Sequence, residues 1–197
     1  MGSLKKIRME REVKNKTDPQ GVIQERLNLQ IPDLVERELN RRRLIFLDFE
    51  IDEAGFLQFS RELLYLHLCE PGGQKPIWII LNSPGGDILY GFGIYDLIRS
   101  VIEKETTINI LCTGMVASMS AVILQAGSKR VSFPNTQFLI HQVSQTIFDK
   151  NEEVNEGEER VEENKRVNRI TMGIIAERIG MDLDMLLKLS KKKGLLV

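Results

Sequence analysis

Only two histidines, His67 and His141, stand among the 197 residues, which narrows the chemistry this sequence can carry. A zinc site needs several His, Cys or carboxylate side chains converging on one point. His67 and Cys69 lie two apart in a stretch of helical character, so they face different ways and do not chelate together. No metal and no cofactor is expected, and His67, set among Leu64, Tyr65, Leu66 and Leu68, reads as a packed or surface helix histidine. Acyl transfer asks for less: a nucleophile, a base that takes its proton, and donors that hold an oxyanion. Ser118 lies in Gly114-Met115-Val116-Ala117-Ser118-Met119, where an apolar strand ends, a glycine turns the chain and a helix begins. Its hydroxyl then sits at a helix N-terminus among free backbone N–H groups, and the N–H of Met119 is available to an oxyanion. Serine is equally a favoured N-cap, so this position alone leaves both readings open. Gly85-Gly86 follows another apolar strand; such a pair lets backbone N–H groups approach a ligand, and also makes an ordinary strand-to-helix turn. His141 closes the strand Phe138-Leu139-Ile140, a place for a base facing a cleft or for a structural histidine. The Gly-x-Ser-x-Gly elbow is not matched, because positions 116 and 120 are Val and Ser, and neither glycine-rich phosphate motif is present.

The elements that must position these residues follow from hydrophobic runs and their breakers. Leu44-Ile45-Phe46-Leu47 is a buried-strand signal, after which Asp52 caps a helix running to about Glu70 and stopped by Pro71-Gly72-Gly73. A second buried strand, Ile77 to Leu81, ends at Ser83-Pro84-Gly85-Gly86 and leads into a helix over Leu89 to Glu103. A third strand spans Thr107 to Cys112, a helix of small residues runs from Ser118 to Gly127, and strands are expected at Lys129–Phe133 and Gln137–His141. Alternating strands and helices predict an α/β domain with a largely parallel sheet. Right-handed crossovers place the loops carrying Gly85-Gly86 and Ser118 at the same sheet end, where ligand sites gather. From Asp149 to Arg169 charge dominates, and then Ile170, Ile174, Ile175 and Ile179 return: one long helix, its first half exposed and projecting, its second half packed. Residues 1–30 lack apolar periodicity and read as a flexible arm.

Composition bounds the partners. With 27 basic and 28 acidic residues the net charge is −1, so no basic field points to nucleic acid or to an anionic membrane. Arg41-Arg42-Arg43 and Lys191-Lys192-Lys193 read as solvated surface. There is no apolar run of about 20 residues to span a bilayer and no apolar secretory segment in the first 20 residues, so a cytoplasmic protein is expected. Cys69 and Cys112, both in apolar surroundings, read as buried free thiols.

Three motifs in order resemble the ClpP family of barrel-forming serine peptidases. They are Asn82-Ser83-Pro84-Gly85-Gly86 with Gly91 and Ile94-Tyr95-Asp96; Gly114-Met115-Val116-Ala117-Ser118-Met119-Ser120-Ala121; and Pro134-Asn135-Thr136 followed by Ile140-His141-Gln142. The resemblance runs from about Ile31 to Gly180. It implies Ser118 as nucleophile, His141 as general base, and an oxyanion hole at the N–H groups of Gly86 and Met119. It implies a crotonase-like spiral of β-β-α units, with a head over 31–142 and 180–197 and a handle over 143–179 that makes ring-to-ring contacts. It further implies stacked heptameric rings, of this chain or mixed with a paralogue, that receive unfolded polypeptides from an AAA+ unfoldase. Two features depart from the family. Val143, Ser144 and Gln145 replace its proline and glycines, and the register of its triad aspartate falls at Ser190 to Lys193, where there is no acid. Asp149, Asp182 and Asp184 are the aspartates beyond His141, all displaced from that register, and Asp87 directly follows the double glycine. The expected function is a serine endopeptidase subunit of an ATP-dependent Clp-type protease. The alternatives are a catalytically weak or silent subunit that co-assembles with an active paralogue, and an acyl-CoA enzyme on the same spiral.

Overall fold

A computed structural model describes residues 31–69, 75–142, 154–191 and 195–196. The chain divides into two compact units, Met1–Arg42 and Arg43–Val197. In the first, helix α1 (Ile31–Arg41) was not anticipated from the sequence. Its Glu38 carboxylate accepts from Arg41 and Arg42 at 2.6–2.8 Å. These hydrogen bonds hold the Glu38 carboxyl down at about 2. The carboxylate is partly open to solvent and both arginines are exposed, so the pairs add little to stability. The arm over residues 1–30 lies outside the described residues.

The second unit is built on one sheet. β1 (Leu44–Leu47), β2 (Ile77–Ser83), β3 (Ile108–Ala117) and β5 (Gln137–Ile140) run parallel, and the two-residue β6 (Leu195–Leu196) closes the edge antiparallel to β5. β4 (Lys129–Ser132) also pairs with β3. The fold is therefore α/β with a parallel sheet, as the alternation of elements predicts. Register aligns Ile45, Ile79 and Ile110 in one buried row across β1, β2 and β3. Phe59 and Leu63 from α2 (Glu53–Cys69) and Ile94 and Ile98 from α3 (Ile88–Glu103) complete a core with essentially no solvent exposure. Asp52 caps α2 by accepting the Gly55 N–H at 2.7 Å.

β3 changes partner partway along. Asn109–Cys112 pair with β4, whereas Met115–Ala117 pair with β5. Gly114 stands between the two stretches at φ +59, and a side chain there would run into the carboxamide of Asn82. Asn82 Oδ1 accepts the Met115 N–H at 2.9 Å, so the bend is held from the neighbouring strand. This switch carries the end of β3, and Ser118 with it, across to β5.

Helix α4 (Met119–Ile123) continues as a 3₁₀ turn over Leu124–Ala126. α5 (Val154–Ile179) keeps Val161, Glu162 and Glu163 exposed and buries Val167, Met172, Ile175 and Ala176; of the four isoleucines expected to pack, Ile175 is buried and Ile174 half-buried, whereas Ile170 and Ile179 are exposed. α6 (Leu183–Ser190) is capped by Asp182, which accepts the Met185 N–H at 2.9 Å. His67 is a packed helix histidine, its Nδ1 2.8 Å from the buried Thr106 Oγ1. The two cysteines differ, against the sequence expectation. Cys112 is buried in β3, but Cys69 is exposed, because the buried stripe of α2 through Phe59, Leu63, Leu66 and His67 leaves it on the outer face. Among the described residues no helix is long and apolar enough to cross a membrane.

Candidate active site

β3 delivers Ser118 to α4 through a sharp turn. Its backbone stands at φ 55, ψ −124, a region essentially reserved for glycine, which costs about 1–3 kcal/mol and persists only when the surroundings over-determine it. Three contacts do so. The Ser118 N–H donates to Leu139 O of β5 at 2.8 Å, and the Ser118 carbonyl accepts from Ala121 N–H at 3.0 Å. The buried hydroxyl of Ser120 lies 2.8 Å from Ser83 O and 2.7 Å from Ala117 O, tying the end of β2 to the elbow. The Ser118 side chain makes no capping bond to α4, so the N-cap reading falls away, and among the described residues its hydroxyl has no hydrogen-bond partner.

The elbow forms without its usual flanking glycines because another strand supplies the room. A Cβ on Gly85 would sit 2.6 Å from Ala117 O, 2.7 Å from Ser118 Cβ and 2.9 Å from Met119 N. Gly85 is therefore pressed against the serine turn and buried there. Gly86 (φ +146) bridges Ile51: the Ile51 N–H donates to Gly85 O at 2.8 Å and the Asp87 N–H to Ile51 O at 2.7 Å. Among the described residues, the N–H groups of Gly86 and Met119 have no hydrogen-bond acceptor. Met119 in turn packs its side chain over Gly91, where an added Cβ would come within 2.9 Å of Met119 Cε.

His141 follows β5 directly and is half-buried. Parallel pairing sets Ala117 opposite Leu139, so Ser118 and His141 leave adjacent strands at the same end of the sheet. His141 Nδ1 lies 2.8 Å from Gln142 O. A carbonyl only accepts, so Nδ1 carries a proton in this contact, and in the neutral ring the lone pair is then on Nε2.

Gly86, Ser118, Met119 and His141 line a single cleft of about 490 Å³. Met119, Val122, Val167, Met172 and Ile175 give it an apolar lining, and Glu163 and Asn164 come to it from α5. The Glu163 carboxylate accepts two bonds from Arg166, which lowers its pKa. Asp87 also borders the cleft, but its carboxylate accepts from Leu89 N–H and Tyr90 N–H and caps α3. Of the aspartates downstream of His141, Asp149 lies outside the described residues, Asp182 caps α6, and Asp184 is exposed in the first turn of α6. Among the described residues no carboxylate bonds to His141, and no hydrogen bond joins it to Ser118. The contribution of α5 to the cleft went unassigned in the sequence; its signal was the return of apolar residues after Arg166.

A parallel sheet that presents a strained serine, two unpaired N–H donors and a histidine in one cleft has the layout of a serine hydrolase. The family model for Clp protease matches residues 28–195, and the chain belongs to that family. It is 43% identical over 124 residues to the ATP-dependent Clp protease proteolytic subunit of Porphyromonas gingivalis, a match covering 61% of this chain and 53% of that protein. The proteins of the same description from Bacteroides thetaiotaomicron and Bacteroides fragilis are each 41% identical over 124 residues, with 54% and 57% of their lengths covered. The chain thus spans about half the length of the curated relatives it matches.

Proposed function

We propose that this chain is a serine endopeptidase subunit of a Clp-type protease, with Ser118 as nucleophile, His141 as general base, and the N–H groups of Gly86 and Met119 as oxyanion hole. What supports this most is one meeting of features: the uncommitted hydroxyl on a strained elbow shares its cleft with two unpaired N–H donors and a histidine. In the acylation step the Ser118 oxygen attacks a peptide carbonyl while its proton passes to His141 Nε2. The carbonyl oxygen gains the negative charge and takes the two N–H groups. The C–N bond then breaks and the amine leaves with the proton from His141. Water repeats the sequence on the acyl-serine, releasing a carboxylic acid and restoring the hydroxyl. Each N–H donor is worth on the order of 10²–10³ in rate. The apolar lining from Val122, Val167, Met172 and Ile175 favours an apolar substrate side chain beside the scissile bond.

Stacked heptameric rings joined through α5, unfolded polypeptide substrates, an AAA+ unfoldase partner and a cytoplasmic setting belong to the same proposal. The family and the description of its relatives as ATP-dependent support them. A second reading, a silent subunit that co-assembles with an active paralogue, draws on the lack of a carboxylate beside His141 among the described residues. Hydrolysis of a short fluorogenic peptide by the purified assembly separates the two. Activity that disappears in both Ser118→Ala and His141→Ala supports the peptidase; an assembled ring with no activity and no labelling by a fluorophosphonate supports the silent subunit.

A further inference from the structure

We infer that Gln142 is the positioning residue for His141, its backbone carbonyl standing where a serine peptidase places a carboxylate. The inference rests on the proposed role of His141 as base and adds to it the group that fixes the ring. His141 Nδ1 donates to Gln142 O at 2.8 Å, which selects the Nδ1–H tautomer and leaves Nε2 free to take a proton.

A carbonyl one residue along the chain orients a ring only if that residue is itself held, and among the described residues Gln142 has no strand partner. The Gln142 side chain supplies the hold. Its Nε2 donates to Leu187 O at 2.9 Å and to Ser190 Oγ at 3.3 Å, both on the last turn of α6. Ser190 is buried, and its own hydroxyl lies 3.2 Å from the same Leu187 carbonyl, so the three groups form a closed cluster. Leu187 O is one of the carbonyls that the end of a helix leaves unpaired, and the carboxamide satisfies it. α6 is fixed in its turn by the fully buried Leu186 and by the Asp182 cap. Asp182 and Asp184 are thereby parts of the element that anchors Gln142, and neither is hydrogen-bonded to the histidine.

A neutral carbonyl does one of the two jobs of a triad acid. It sets tautomer and ring orientation, but it stabilises the imidazolium less than a carboxylate does. Among the described residues the catalytic pair is thus serine and histidine, with a backbone carbonyl as orienter.

Having only two histidines makes the test direct. The full-length assembly labelled with ¹⁵N-histidine is measured at about pH 8, where imidazole is mostly neutral, with His141→Gln used to assign the signals. The wild type is expected to show His141 with a pyrrole-type Nδ1 and a pyridine-type Nε2. Gln142→Met keeps side-chain length and removes both amide donors. It is expected to move His141 toward the Nε2–H form and to lower kcat by about tenfold to a hundredfold with KM nearly unchanged. Ser190→Ala, which removes only the 3.3 Å acceptor, is expected to shift both readouts the same way by a smaller amount, and it serves if Gln142→Met fails to fold. Wild-type His141 in the Nε2–H form overturns the inference, as do variants with wild-type tautomer and kcat. If Ser118 resists a fluorophosphonate while His141 reads Nδ1–H, the peptidase reading falls and the positioning of His141 by Gln142 stands.

Discussion

Replacing Gly85 by alanine tests whether the elbow is held from outside its own turn. The added methyl carbon would lie 2.6 Å from Ala117 O, 2.7 Å from Ser118 Cβ and 2.9 Å from Met119 N, all closer than real Cβ contacts. None of these is the far end of a flexible side chain that swings away. Gly85 also stands at φ +93, where an L-residue is strained by roughly 1–2 kcal/mol before any clash. Adding the displacement of packed backbone gives a loss of about 2–4 kcal/mol, or roughly 5–15 °C in Tm for a unit of this size. The effect on chemistry is expected to be larger, since a shift of the serine by about 1 Å relative to its oxyanion donors costs on the order of 10²-fold in rate. The assay pairs thermal unfolding with the second-order rate of Ser118 labelling by a fluorophosphonate. Gly173→Ala serves as the control: nothing lies within 4 Å of the added carbon, the residue is inside α5, and stability should rise by up to about 1 kcal/mol with labelling unchanged. A Gly85→Ala protein that labels at the wild-type rate would refute the argument that this glycine makes room for the turn.

Two further outcomes follow from the same packing. Burial pushes the Cys112 thiol up to about 12, so at pH 8 only about one in 10⁴ is thiolate; iodoacetamide should modify the exposed Cys69 in the native protein and reach Cys112 only on unfolding. Rapid native labelling of Cys112 would contradict its placement. Ser120→Ala removes the hydroxyl that joins Ser83 O to Ala117 O and leaves two buried carbonyls less satisfied; a loss of about 1–3 kcal/mol is expected, with slower fluorophosphonate labelling, and an unchanged Tm would refute it.

Most of the sheet was legible because its signals are local. The runs at Leu44–Leu47 and Ile77–Leu81 are apolar and bounded by turn residues, and the structure makes both of them parallel strands. What escaped was set by distant partners. α1 lies in a polar stretch whose helix is visible only when Glu38 is seen to reach both Arg41 and Arg42. β6 is two residues long, too short for any periodicity, and exists because the edge of β5 offers Leu139 and Ile140 for pairing. Cys69 was misplaced because its neighbours are apolar, yet exposure on a helix follows from phase, and phase put Leu66 and His67 inward instead.

The motif residues explain why the site itself was readable while its geometry was not. Several do no chemistry; they fix where the reacting groups stand. Asn82 holds the bend at Gly114 through the Met115 N–H, and Ser83 donates to Phe49 O at 2.6 Å while accepting from Gly85 N–H at 3.2 Å. The buried Thr136 donates its hydroxyl to Cys112 O at 3.1 Å, and its N–H donates to Phe133 O at 3.1 Å, so the turn before β5 is pinned to β3. That pin matters because β5 pairs with β3 over only three residues, Met115–Ala117 against Gln137–Leu139. A slip of one residue in so short a ladder would turn every side chain of β5 to the opposite face and carry His141 away from Ser118. Register is a property of the pair of strands, so the sequence displays Thr136 and His141 five apart without showing that the first sets the position of the second. The same holds on the far side of the histidine, where Gln142 reaches an α6 that begins more than forty residues later. Each end of this short strand is thus tied to a different part of the chain, which is how a four-residue element carries a base to a fixed place in the cleft.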